Sequence, residues 1–213
     1  MGKPRSAASR AKVVAARLVE EFPEARCELD HRNPFELLAA TILSAQCTDA
    51  RVNMVTPGLF KEFPTPEALA VADISRVEEL VRSTGFYASK AKNLIGMARA
   101  LVERFDGEVP RDLDDLVTLP GVGRKTGNVV RSVAFQLPGL PVDTHVGRLS
   151  RRLGLTKEED PVKVELELNK FLPPDEWGAF SLRLILHGRR TCDARKPKCR
   201  DCVLVDICPS ANP

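Results

Sequence analysis

Residues 113–135, LDDLVTLPGVGRKTGNVVRSVAF, hold the pattern on which the reading of this chain turns. A short apolar helix leads into the turn Pro120-Gly121-Val122-Gly123, and a second amphipathic helix follows from Arg124. This is a helix–hairpin–helix arrangement. Two glycines around one apolar residue let the turn bring its backbone close to another surface, while Val122 anchors it from within. The N–H groups that open the second helix, at its positive dipole end, suit a phosphate oxygen. Taken alone, PGVG also fits a plain inter-helix turn.

Lys125 sharpens the choice. A lysine in the first turn of a helix lies at the pole where structure alone favours Asp or Glu. Beside Arg124, the same placement is expected to lower the pKa of its amine, and only free amine attacks carbon. Sixteen residues further on begins the segment PVDTHVGR, from Pro141 to Arg148. Asp143 reads as the N-cap of the helix that follows. Capping and catalysis are compatible, because a carboxylate held at a helix N-terminus stays ionised and can stand beside a developing sugar cation.

Working outward, nearly every apolar stretch repeats with helical spacing, and turn residues cut the chain into about ten helices. The fold class is all-α. Asn33-Pro34 opens a helix through Ile42 and Leu43, with Asn as N-cap and Pro at the first helical position. Thr65-Pro66 repeats the device. Helices are expected over 73–83, 87–105, 112–119, 124–135, 143–153, 161–171 and 175–189. Pro138 and Pro141 bracket a loop and place a domain junction there.

The 213 residues suffice for a substantial core without a partner. With 43% hydrophobic and 29% charged residues, the composition argues against disorder, a fibre or a membrane protein. No apolar run reaches the roughly 20 residues needed to cross a bilayer, so a soluble protein is expected. The 32 basic and 29 acidic residues give a net charge of +3, too balanced to prove nucleic-acid binding. Six basic residues nevertheless cluster between Arg189 and Arg200, where a solvated basic loop is the plain reading. The acid-free residues 1–19 faintly match a transit peptide, but Val13, Val14, Leu18 and Phe22 have the spacing of an ordinary amphipathic helix. Residues 2–6 also fit a loose myristoylation pattern.

Cys192, Cys199, Cys202 and Cys208 are separated by six, two and five residues. Four thiols this close in a chain without a secretion signal point to a metal site rather than to disulfides. Spacing leaves zinc open, although only one C-x2-C unit is present where zinc ribbons carry two. Cys27 and Cys47 lie among apolar residues and read as core thiols.

Together, residues 43–46 (LSAQ), the hairpin LPGVGRKTGNVV, the VDTHV segment, LILHGR over 184–189 and the four cysteines resemble the endonuclease III branch of the helix–hairpin–helix DNA glycosylases. The match spans nearly the whole chain. It implies a six-helix, barrel-like domain with the hairpin over 27–137, and a second domain from 1–26 and 138–213 around a [4Fe–4S] cluster, with DNA in the cleft between. It implies a cytoplasmic monomer, nucleoid-associated if bacterial, acting on double-stranded DNA with a damaged base or an abasic site.

The resemblance also assigns roles. Lys125 falls at the nucleophile, Asp143 at the catalytic aspartate, and Cys192, Cys199, Cys202 and Cys208 at the cluster ligands. Gln46 matches the residue that fills the gap left by the extruded nucleotide, and Phe86 replaces an aliphatic wedge. Gly121, Val122, Gly123, Arg124 and His145 fall among DNA contacts, as do Arg195, Lys196 and Lys198 in the loop between the first two ligands. Gly127 stands where alanine is common and is expected to matter little to the chemistry. The implied activity is removal of oxidised or ring-saturated pyrimidines, followed by strand cleavage. Three alternatives stand beside it. One is an adenine glycosylase acting on mispairs, a group that lacks the lysine and carries a further C-terminal domain, whereas this sequence runs five residues past Cys208. The others are a non-catalytic binder of DNA shape and a zinc-stapled interaction module.

Overall fold

The computed structural model describes residues 6–212. The myristoylation pattern at 2–6 and the start of the transit-like segment lie mostly outside the described residues. Within them the chain is all-α, with eleven α-helices, three 3-10 turns and no strand. It divides into two compact units: one is Cys27–Gln136, and the other joins the helix before residue 27 to Leu137–Pro213.

In the Cys27–Gln136 unit, α2 (Pro34–Leu43) runs through the centre, and nine of its ten residues are buried. The Asn33 side chain accepts the Glu36 N–H at 2.9 Å, and Pro34 fills the first helical position. The buried Glu36 carboxylate is matched by Arg32, whose Nε and Nη2 donate at 2.9 and 2.6 Å. Around α2 lie α3 (Asp49–Glu62), α4 (Pro66–Ala70), α5 (Ile74–Val81), α6 (Tyr87–Phe105), α7 (Leu113–Leu116) and α8 (Arg124–Ala134). One continuous core joins them, including Leu37, Leu38, Leu59, Leu94, Met97, Leu101 and Leu116.

Helix α3 is the element that the sequence signals hide. Pro57 lies inside it, and a proline in a helix interior costs about 3 kcal/mol. Burial of Val52, Leu59 and Phe60, at roughly 1.5–3 kcal/mol each, outweighs that cost.

The other unit contains α1 (Ala7–Glu21), α9 (Thr144–Arg152), α10 (Pro161–Leu168) and α11 (Trp177–Arg190). Ser6 and Ser9 form a capping box at the start of α1, and its Ala11, Val14 and Leu18 are fully buried. Phe180 and Leu184 of α11, with Val146 and Leu149 of α9, share that second core. No helix among the described residues is long and apolar enough to cross a membrane.

Candidate active site

The hairpin is held from behind by α6. Leu116, Leu119 and Val122 are buried, and the Val122 N–H donates to the Leu119 carbonyl at 3.0 Å. Gly121 has φ +78°, and a Cβ there would lie 2.8 Å from Cβ of Asn93 on α6. One turn along α6, a Cβ on Gly96 would stand 3.2 Å from the Pro120 ring. Two backbone approaches therefore clamp the turn, through residues the sequence reading did not single out. Gly123 differs from Gly121: its φ is −90°, an extended value open to any residue, and a Cβ would meet nothing within 4 Å. Gly121 serves the packing, and Gly123 faces open space.

Gly123 is also the N-cap of α8 and supplies no side-chain cap. The start of a helix of this length carries a positive dipole end, which suits an external anion. Arg124 opens α8 half-buried, and Lys125, its second residue, is exposed. Gly127 marks the crossing of α8 with α7, where a Cβ would come 2.6 Å from Cδ1 of Leu113.

Two further candidates share an unusual backbone state. Gln46 has φ +52° and Phe86 φ +47°, left-handed values that a side chain normally avoids. Both are exposed, Phe86 to 67%. Close by in the chain, Lys90 of α6 is buried at 4% exposure, and its Nζ donates to the carbonyls of Leu43 and Thr84, each at 2.8 Å. Burial pushes this ammonium below its ordinary pKa. Sequence reading missed it, since nothing local distinguishes a buried lysine from a solvated one.

In the other unit, Asp143 caps α9: its Oδ1 accepts the Val146 N–H at 2.8 Å. Ser181 of α11 donates to the carbonyl of Pro141, fixing the chain two residues ahead of the carboxylate. His145 is half-buried, with Nδ1 3.2 Å from Nη2 of Arg148. Gly188 lets α11 come this close, because a Cβ there would lie 2.8 Å from the His145 ring.

Arg148 and Arg152, one turn apart on α9, organise the cysteine segment. Nη2 of Arg148 donates to the carbonyls of Gly188 and Cys192 at 3.1 and 2.9 Å. Arg152 donates to Sγ of Cys192 at 3.3 Å and to the carbonyls of Asp193 and Ala194 at 2.7 and 2.6 Å. The Leu204 N–H reaches Sγ of Cys202 at 3.4 Å, and the buried His187 bridges Cys202 (3.5 Å) to Glu21 of α1 (2.7 Å). Donors aimed at sulfur suit thiolates.

All four cysteines line one cavity of about 140 Å³, walled also by Leu149, Leu153 and Val205. Among the described residues, no three His, Cys, Asp or Glu side chains converge as they would on a single ion. The four thiols instead share the lining of this one cavity. Burial raises Cys202 to about 11 and also lifts Cys208. Of the neighbouring basic residues, Arg195 and Lys196 are exposed, and the Lys198 amine donates to the Arg190 carbonyl at 3.0 Å.

Residues 39–174 match the model of the HhH-GPD superfamily base excision DNA repair proteins. The endonuclease III of Synechocystis sp. is 53% identical over 211 residues, 99% of this chain and 96% of that protein. A non-covalent endonuclease III–DNA complex superposes with a TM-score of 0.91 at 44% identity, covering 96% of each chain. A trapped endonuclease III–DNA covalent intermediate does so at 0.91 and 45%, again with 96% of each covered. The chain therefore belongs to the HhH-GPD superfamily of base excision DNA repair proteins, in its endonuclease III family.

Proposed function

We propose that this chain excises damaged bases from double-stranded DNA and then cuts the strand, with Lys125 as nucleophile and Asp143 as its partner carboxylate. The observation that carries the reading is an exposed lysine in the first turn of α8, two residues after a glycine N-cap on a turn clamped from behind. A phosphate held by that helix end would bring the sugar of a neighbouring nucleotide towards the amine.

The target nucleotide must first leave the stack, and damage that weakens stacking lowers that cost. The Lys125 amine then bonds to the anomeric carbon while the bond to the base breaks, and the base leaves with the electron pair and takes up a proton. Asp143, held at its cap, stabilises the cationic sugar or relays that proton. Loss of the amine proton and ring opening give a Schiff base. Its C=N acidifies the adjacent sugar carbon; loss of that proton expels the 3′ phosphate oxygen and cleaves the strand. Gln46 and Phe86 are assigned to the space the nucleotide vacates. Arg124, His145, Arg195, Lys196 and Lys198 are assigned to the DNA backbone, Lys198 by exchanging its bond to the Arg190 carbonyl for a phosphate.

We further propose that Cys192, Cys199, Cys202 and Cys208 hold a [4Fe–4S] cluster. A shared cavity lined by four thiols, with N–H donors directed at the sulfurs of Cys192 and Cys202, fits a multi-atom group better than one zinc ion. When bound, such a cluster cross-links a segment that has little regular structure of its own.

Borohydride trapping on a duplex with thymine glycol tests the central reading. The native chain is expected to yield a covalent protein–DNA adduct and Lys125→Gln none; equal trapping by both would remove Lys125 from its role.

A further inference from the structure

Lys90 occupies a position that structure alone would give to an apolar side chain. It lies in the first turn of α6, the positive pole of that helix, and is buried at 4% exposure. An ammonium taken out of water there is costly unless its donors are matched. Two of them are, and the partners are telling. Leu43 is the last residue of α2 and Thr84 the last of the 3-10 turn Arg82–Thr84, so each offers a carbonyl that its own helix leaves unused. One cation thus caps two helix ends.

Each capped end leads straight into a left-handed, exposed, non-glycine residue. Gln46 follows Leu43 by three residues, and Phe86 follows Thr84 by two. The backbone N–H of Lys90 also donates to the Phe86 carbonyl at 3.0 Å. Left-handed side chains persist only where their surroundings over-determine them, and here the same residue anchors both approaches. We propose that Lys90 is a positioning residue for base extrusion: its ammonium ties the Gln46 and Phe86 loops together so that both side chains enter the stack as one rigid unit. The inference rests on the assignment of Gln46 and Phe86 to the vacated space.

The test uses the full chain and two substrates. Single-turnover excision is measured on a duplex with thymine glycol, and borohydride trapping on single-stranded abasic DNA, where no stack has to be filled. Lys90→Met is expected to slow excision in the duplex about tenfold or more and to leave single-strand trapping within about twofold. Adding Lys90→Met to the Gln46→Ala, Phe86→Ala double variant is expected to cause no further slowing, because the residues act as one unit. Equal losses on both substrates, or a full additional loss in the combined variant, would reduce Lys90 to a structural role and overturn the proposal. If Lys90→Met is not folded by circular dichroism, Lys90→Gln, which keeps an amide donor, is read by the same criteria. A native chain that traps on neither substrate would instead sink the parent reading of the activity.

Discussion

The Asp143 carboxylate accepts the backbone N–H of Val146 at 2.8 Å, so the residue assigned to the sugar cation also caps α9. The two duties separate by substitution. Asparagine caps about as well as aspartate, whereas alanine forgoes about 1 kcal/mol of capping. Asp143→Asn is therefore expected to melt close to the native chain while losing base excision by at least about a hundredfold, the lower range for a catalytic carboxylate. Asp143→Ala should lose activity and also melt lower. Full activity in the asparagine variant would leave Asp143 with the cap alone.

The cysteine cavity makes a compositional prediction. Purified native chain is expected to contain about four iron atoms and as many labile sulfides, with the brown colour of thiolate-bound iron. Cys202→Ser should lose the colour and lower the melting temperature, because metal binding that requires a folded site contributes its free energy to folding. Zinc in place of iron, by elemental analysis of anaerobically purified protein, would refute the cluster.

Helices with a sequence-coded start were readable in advance. Asn33-Pro34, Thr65-Pro66, Asp143 and Asp160-Pro161 each place a capping oxygen at the first turn, and helices begin there. Helix α3 was not readable, because Pro57 is a local veto that only tertiary burial overrides. Likewise, the hairpin was visible as a turn, but the different duties of its glycines depend on Asn93 and open space, neither of which is near in sequence. Lys90, Arg148 and Arg152 escaped notice for the same reason: each acts on main-chain carbonyls, and a carbonyl leaves no mark on residue type. The Arg148–Arg152 spacing on one helix face was the single available hint.

A surface ion pair gives a pH signature with a definite sign. Arg76 donates from Nε and Nη2 to the Glu62 carboxylate at 2.9 Å each, and this holds the Glu62 pKa below its ordinary value. A depressed carboxylate pKa adds stability that is present above the unfolded value and lost as pH falls through the folded one. Native chain is expected to melt slightly above Glu62→Gln near neutrality, the gap closing as pH drops below about 4. High salt should shrink the gap too, since both groups face solvent. A difference that grows in acid would contradict the assignment.

The hairpin glycines allow folding to be separated from binding. At Gly121 an alanine would be forced to φ +78° with its Cβ 2.8 Å from that of Asn93, so it must either strain the turn or push it off α6. Strain of this kind costs about 1–3 kcal/mol, and Gly121→Ala is expected to melt lower by a corresponding amount. At Gly123 the backbone is already extended and a methyl would meet nothing. Its effect on folding is small, because the entropy gained over glycine roughly offsets the poorer N-cap. The same methyl, however, would project at the end of α8 where a phosphate must approach the first-turn N–H groups. Gly123→Ala is therefore expected to melt like the native chain and to bind abasic duplex about tenfold more weakly, by titration at fixed salt. Unchanged affinity in that variant would mean that DNA does not touch this turn, and Lys125 would lose the contact that is meant to deliver its substrate.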